Sequence, residues 1–169
     1  MHGEATFVAA LGGRSVLDAG CGTGRVAIEL ARRGFEVVGL DADPGMLSAA
    51  RVKAPDLEWV EADLATFDLA EHRPDGRRQF DVIVMAGNVM IFVVSGTEGA
   101  ILERVAAHVR PGGAVVAGFQ LQEGRLSLER YDELATAAGL TLAERFATWD
   151  RQPWTPSGDF AVSVHRLPG

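Results

Sequence analysis

The sequence predicts an α/β fold, a largely parallel sheet with helices on both faces, on three observations. Apolar runs of strand length alternate with segments of helical period. A glycine-rich turn, "GCGTG", joins the first such strand to the first helix. The last two runs are joined by a loop with no helix between them, which makes them an antiparallel hairpin. A chain of 169 residues fits one domain, 1–169, with 1–14 a short N-terminal segment ahead of the first strand.

Each element follows from local chemistry. "SVLDAG" is the first strand, and Thr23 to Arg33 carries Val26, Ala27, Leu30 and Ala31 at helical spacing before the stop at Gly34. "EVVGLD" is the second strand. Asp43 then caps a helix with Pro44 in its first turn, continued by Met46, Leu47, Ala50 and Val52 as far as Pro55. "LEWVEAD" is the third strand, "AEHRPDGRRQ" a polar loop, and "FDVIVMAG" a central strand covered on both faces. Ser95 and Glu98 have capping-box spacing ahead of a helix through Ile101, Leu102, Val105 and Val109, ended by Pro111-Gly112-Gly113. "AVVAGF" is the fifth strand. Ser127 caps the next helix, with Leu126 and Tyr131 placed as a hydrophobic staple, and Gly139 stops it. "LTLAERFATW" and "FAVSVHR" form the closing hairpin around "TPSGD".

Composition removes several function classes. The hydrophobic share of 47 % is that of a globular protein, and a net charge of −7 disfavours a nucleic-acid partner, which needs a basic face. Arg32–Arg33 and Arg77–Arg78 are too short to reverse that balance and read as solvated. The single cysteine, Cys21, excludes an internal disulfide and fits a reducing compartment. The opening "MHGEATFVAALGG" lacks a signal-peptide pattern, and the longest apolar run, Val82 to Val94, is shorter than the ~18 residues of a membrane span. The expected location is the cytoplasm, with no membrane partner.

The glycines at 20, 22 and 24 form G-x-G-x-G where the first strand ends, the place at which such sheets bind ligands. Glycine turns the chain sharply and lets a ligand approach the backbone, and the N–H groups opening the next helix supply donors. A dinucleotide fingerprint would need its last glycine at position 25, where Arg25 stands. Asp41 follows Gly20 by twenty-one positions, and a carboxylate there accepts from ribose hydroxyls in either ligand class. The residues therefore specify a ribose and leave its remainder open.

"VLDAGCGTG" resembles the first motif of class I S-adenosylmethionine-dependent methyltransferases, and "VVGLDADPGML", "VEADL", "FDVIVMAGNV" and "VRPGGAVVAGF" follow in that family's order. The resemblance covers roughly Val16 to Phe119. It implies a Rossmann-like seven-stranded sheet in the order 3-2-1-4-5-7-6 with strand 7 antiparallel, and S-adenosyl-L-methionine as methyl donor. By position it implies that Asp18 orients the donor's amino group and that Gly20, Gly22 and Gly24 pack beneath it. It further implies that Asp41 binds both ribose hydroxyls, that Ala42 and Met46 touch adenine, and that Asp63 accepts from the exocyclic amine beside the Leu64 backbone. Ala86, Gly87 and Asn88 would line the methionine end. Cys21 lies within this loop as a small packing residue, not a nucleophile. A sulfonium donor suits these carboxylates, and no phosphate needs neutralising.

The expected activity is methyl transfer to a small-molecule acceptor by in-line displacement, achieved mainly through proximity and desolvation. No catalytic base stands out, since His2, His72, His108 and His165 are scattered and lack metal-ligand spacing. His2 is the best placed of them, and His108 is expected on a solvent-facing last turn. "AGNVM" stands where N/D-P-P-Y/F marks amide- or base-nitrogen methylation in that family. Asn88, Met90 and Phe92, Phe119 to Gln122, and Trp149, Arg151 and Trp154 are candidate acceptor-pocket residues. With so little chain ahead of the first strand, the expected acceptor pocket is either open or completed by a second copy or another subunit. Two other readings are an NAD-dependent oxidoreductase and a donor-binding regulatory or scaffold protein without catalysis.

Overall fold

The computed structural model describes residues 3–70, 76 and 78–169. His2, His72, Arg77 and most of the loop "AEHRPDGRRQ" lie outside the described residues. The elements are α1 (Glu4–Ala9), β1 (Ser15–Ala19), α2 (Arg25–Arg32), β2 (Glu36–Asp41), α3 (Pro44–Lys53), β3 (Glu58–Glu61) and β4 (Phe80–Met85). They continue with α4 (Val89–Phe92), α5 (Glu98–His108), β5 (Val109–Gln120), α6 (Leu128–Ala137), β6 (Thr141–Phe146) and β7 (Phe160–Arg166). One sheet runs β3-β2-β1-β4-β5-β7-β6, and β7 is antiparallel to both its neighbours, as the resemblance implies.

Alternation along the strands divides the apolar side chains between two cores. Leu17, Ala19, Ile83, Met85, Val115 and Ala117 face α4, α5 and α6. Val16, Val82, Val84, Ala114 and Val116 face α1, α2 and α3. Strands buried on both faces read as continuous apolar runs, which is why "FDVIVM" and "AVVAGF" are legible as central strands.

The structure departs from the expectations at several elements. The segment 1–14 carries the helix α1, whose Glu4 carboxylate takes both arms of the Arg25 guanidinium at 2.8 and 3.1 Å. Arg25 therefore fastens α1 to α2. The α5 cap is Thr97, not Ser95, and the Glu98 carboxylate instead accepts the Gly96 N–H at 2.8 Å. α5 ends at His108 and passes directly into β5, so Pro111-Gly112-Gly113 lies inside a strand, at the register shift opposite Phe80 and Val82. In α3 only Leu47 and Ala50 are buried, while Met46 and Val52 face outward. Ser127 caps α6 as its sequence predicts, accepting from Arg130 N–H, and Leu126 and Tyr131 join the same apolar cluster.

Both described histidines are buried. His108 is not on a solvent-facing turn: its Nε2 accepts the Leu69 N–H at 3.0 Å, its Nδ1 lies 2.6 Å from the Arg104 carbonyl, and its ring stacks on Phe67. His165 Nε2 lies 3.1 Å from Asp132 Oδ1, and burial holds its imidazole below the usual range against the pull of Asp132. Neither reaches the carboxyl ends of β1 and β4.

Candidate functional site

Strand order reverses between β1 and β4, and their carboxyl ends, with those of β2 and β3, frame a cavity of about 530 Å³. Gly20 follows β1, Asp41 ends β2, Asp63 follows β3 and Gly87 follows β4. The volume is within the ~300–1,000 Å³ of small-molecule sites.

The cavity brings together eight of the thirteen residues implied by the resemblance: Gly20, Gly22, Asp41, Ala42, Met46, Asp63, Leu64 and Gly87. It also gains residues that the sequence reading missed. Asp43, Val89, Val93, Val94, Thr97 and Ile101 line it, together with Phe92, which the sequence marks as a candidate acceptor-pocket residue. Phe92 is 70 % exposed and Val94 76 % exposed, so the far wall is an apolar surface with little covering it. The unforeseen helix α4 carries that wall. A signal existed in "NVMIFVV", whose apolar residues exceed what a strand end needs, but only Gly87 and Asn88 interrupt the apolar run that continues from β4.

Asp18, Cys21, Gly24, Ala86 and Asn88 do not line the cavity. Asp18 lies buried beneath the turn, where its Oδ2 accepts the Ala27 N–H at 3.1 Å. Gly24 caps α2 with no side chain of its own, so this carboxylate satisfies a donor in the first turn of that helix from β1. Burial pushes the Asp18 carboxyl up to about 7, against the lowering effect of the Ala27 hydrogen bond and of Arg25. Cys21 packs in the α1–α3 core near Gly39, and burial with nearby Asp18 and Asp41 pushes its thiol well up, which leaves it inert. Gly24, at φ 87°, faces the Trp59 indole and not the cavity. Asn88 adopts a left-handed φ of 62° and its Oδ1 accepts the Gln120 N–H at 2.8 Å, which ties the loop after β4 to the end of β5.

The two acidic groups at the strand tips are pre-oriented by backbone. Asp41 Oδ2 accepts the Gly22 N–H at 2.8 Å and its Oδ1 the Asp43 N–H at 2.9 Å. Asp63 Oδ1 accepts the Ala65 N–H at 2.7 Å. A carboxylate has lone pairs beyond these bonds, so both retain acceptor capacity toward a ligand. Asp41, Asp43 and Asp63 are the charged lining residues, and no Lys or Arg stands among them.

The candidate acceptor aromatics of the hairpin serve packing. Phe7 of α1 meets Phe146 and Trp149 edge-on, and the Arg151 guanidinium lies 4.3 Å from the Phe7 ring centre. Phe119 is buried against Tyr131. Trp154 lies against Arg145, away from the strand tips. Among the described residues no cluster of His, Cys, Asp or Glu could hold a metal ion, and no helix is long and apolar enough to cross a membrane.

A central sheet of this order, with an acid-tipped second strand over a glycine turn, defines a nucleoside-binding α/β domain. Residues 16–113 match the family model for a methyltransferase domain. The chain belongs to that family, in its class I S-adenosylmethionine-dependent group, whose methyl donor is S-adenosyl-L-methionine. A TehB-like SAM-dependent methyltransferase from Corynebacterium glutamicum has the same fold at a TM-score of 0.90 and 32 % identity, over 99 % of this chain and 88 % of that one. Among curated relatives, a ubiquinone biosynthesis O-methyltransferase from Bradyrhizobium diazoefficiens is 38 % identical over 63 % of this chain and 40 % of its own length. A ribosomal protein L11 methyltransferase from Laribacter hongkongensis is 36 % identical over 66 % of this chain and 34 % of its own. The chain thus spans less than half the length of these curated relatives.

Proposed function

We propose that this chain is a methyltransferase core that binds S-adenosyl-L-methionine in the cavity at the strand tips and methylates a small molecule. One observation carries the reading against a dinucleotide. Two backbone donors at the glycine turn are already taken by carboxylates, Gly22 N–H by Asp41 and Ala27 N–H by Asp18, which weakens the turn as a pyrophosphate site. With Asp43 and Asp63 added and no lining cation, an anion entering this cavity meets repulsion, whereas a sulfonium meets attraction.

In this reading the free lone pairs of Asp41 accept from both ribose hydroxyls, and Asp63 accepts from the adenine amine beside Leu64. Met46, 44 % exposed at the mouth, and Ala42 lie against the adenine. Gly22 admits the ligand to the backbone, since a Cβ there would have nothing within 4 Å. Asp18 acts from below as a positioning residue that holds the start of α2. Gly20 and Gly87 border the methionine end.

In the transfer itself the acceptor's lone pair forms a bond to the methyl carbon while the carbon–sulfur bond breaks and its electron pair stays on sulfur. The thioether leaves neutral, so no acid is required. No His, Cys or Lys lines the cavity, which fits catalysis by alignment and exclusion of water. Good alignment supplies roughly 7–11 kcal/mol of barrier reduction.

Thermal unfolding with S-adenosylhomocysteine, S-adenosylmethionine and NAD tests the reading. The adenosyl ligands at about a hundred times Kd should stabilise by about 2.7 kcal/mol, and NAD should not. Stabilisation by NAD alone rejects it. Donor binding without methylation across a broad isotope-labelled acceptor library would favour a regulatory role.

A further inference from the structure

Two consecutive residues after β4 take left-handed backbone, Gly87 at φ 66° and Asn88 at φ 62°. Glycine adopts that conformation freely, and asparagine more readily than most residues with a side chain. The pair turns the chain out of the sheet ahead of α4, where the Asn88 carbonyl accepts the Ile91 N–H at 3.1 Å. Met90 and Ile91 of α4 are buried, and Val89 and Phe92 line the donor cavity.

The loop is held on both sides. The parallel ladder between β4 and β5 ends at the pair Met85 and Ala117. Beyond it, Asn88 Oδ1 accepts the Gln120 N–H at 2.8 Å, so this side chain prolongs the link between the two strands where backbone pairing has stopped. Toward β1 the loop rests on the glycine turn. A Cβ on Gly20 would come within 2.7 Å of Val89 Cγ2 and 3.0 Å of its Cγ1, so the valine methyls occupy the space above that glycine. Gly20 and Val89 both line the donor cavity, and their contact closes it between β1 and β4, where strand order reverses.

We propose that Asn88 is a positioning residue for the methyl donor: its bond to Gln120 holds Val89 against Gly20 and so sets the width of the methionine end. The proposal rests on the methyltransferase reading above and assigns to it a residue that does not itself line the cavity. A helix of four residues has too few internal bonds to hold a wall in place unaided. Once the tie is cut, the donor must order this loop as it binds, at a cost in conformational entropy that the tied loop has already met.

S-adenosylhomocysteine is the probe, titrated by calorimetry at a temperature where every variant is folded, with urea unfolding of the ligand-free proteins alongside. Asn88→Gly keeps the left-handed backbone and loses the bond, and should weaken binding about threefold to tenfold. Asn88→Asp keeps both the acceptor for the Gln120 N–H and tolerance of that backbone, and should restore affinity to within about twofold. Val89→Ala should also weaken binding, and adding Asn88→Gly to it should cost less than Asn88→Gly costs alone, because the two residues act through one contact. Unchanged affinity in Asn88→Gly, with or without a lower urea midpoint, overturns the proposal, since a purely structural role moves only stability. Failure of Asn88→Asp to restore affinity, or effects that simply multiply in the double variant, overturns it as well. All three results leave the methyltransferase reading standing. Failure of S-adenosylhomocysteine to bind the unaltered protein overturns that reading, and the role of Asn88 with it.

Discussion

The indole of Trp59 occupies the space that a side chain on Gly24 would need. A Cβ built there would lie 2.5 Å from the ring, and the same ring lies closer still to Gly39 on β2. The last glycine of the turn is therefore required by an aromatic that links β3 to α2, whose Nε1 is in turn held by the Ala54 carbonyl at 2.9 Å. The G-x-G-x-G pattern holds two different positions in one string, open space around Gly22 and interior packing at Gly24.

Gly24→Ala combines a φ of 87° with that collision. It should destabilise the fold by about 2–4 kcal/mol in urea unfolding. A loss under about 0.5 kcal/mol would show that Trp59 moves aside freely.

Asp41→Ala should weaken S-adenosylmethionine binding by about 1.5–3 kcal/mol, the range for hydrogen bonds to a charged group. Isothermal calorimetry reads it directly. An unchanged affinity means that the ribose does not sit on the tip of β2.

Asp18 and Asp81 titrate in opposite senses, and their pH windows do not overlap. Burial raises the Asp18 carboxyl to about 7 in the folded chain, above its unfolded value of 3.8. Between these values the native state binds more protons than the unfolded one, so stability falls as pH rises through that window. Replacement by Asn removes this slope. Lowering the pH from 8 to 5 should stabilise the unaltered protein relative to Asp18→Asn by about 1–3 kcal/mol, and parallel slopes would contradict it.

At Asp81 partial burial pushes the carboxyl up, but the Arg14 and Ser15 N–H groups and the Arg110 guanidinium outweigh it and hold it down to about 2. This stability is present above the unfolded value near 3.8 and is lost as pH falls toward 2. These bonds join the start of β1 to the start of β4, at the sheet end opposite the site. Asp81→Asn should cost about 1–3 kcal/mol at pH 7 and little at pH 2, with donor affinity unchanged at neutral pH. An equal cost at both pH values would mean that the charge is not what holds the two strands.

Strand and helix order could be read from local chemistry because it depends on period, caps and glycines. "FDVIVM" needs only its own residues to announce a strand buried on both faces, and Ser127 only its neighbours to announce a cap. Where one signal ran into the next, the boundary was lost: "VMAGNVMIFVV" is apolar but for Gly87 and Asn88, and it conceals the helix α4 that walls the site.

The carboxyl-end positions of Asp41 and Asp63 are consequences of sequence alone, because each follows a strand by a fixed step in a parallel sheet. Tertiary structure decided what could not be local. It turned Gly24 toward Trp59, placed Asp18 under α2 instead of in the cavity, buried His108 against Leu69, and used Trp149 and Arg151 to seat α1. Each outcome is a contact between segments distant along the chain, and the side of an element on which such a partner arrives is set by how the layers pack, a property that no single stretch of residues carries.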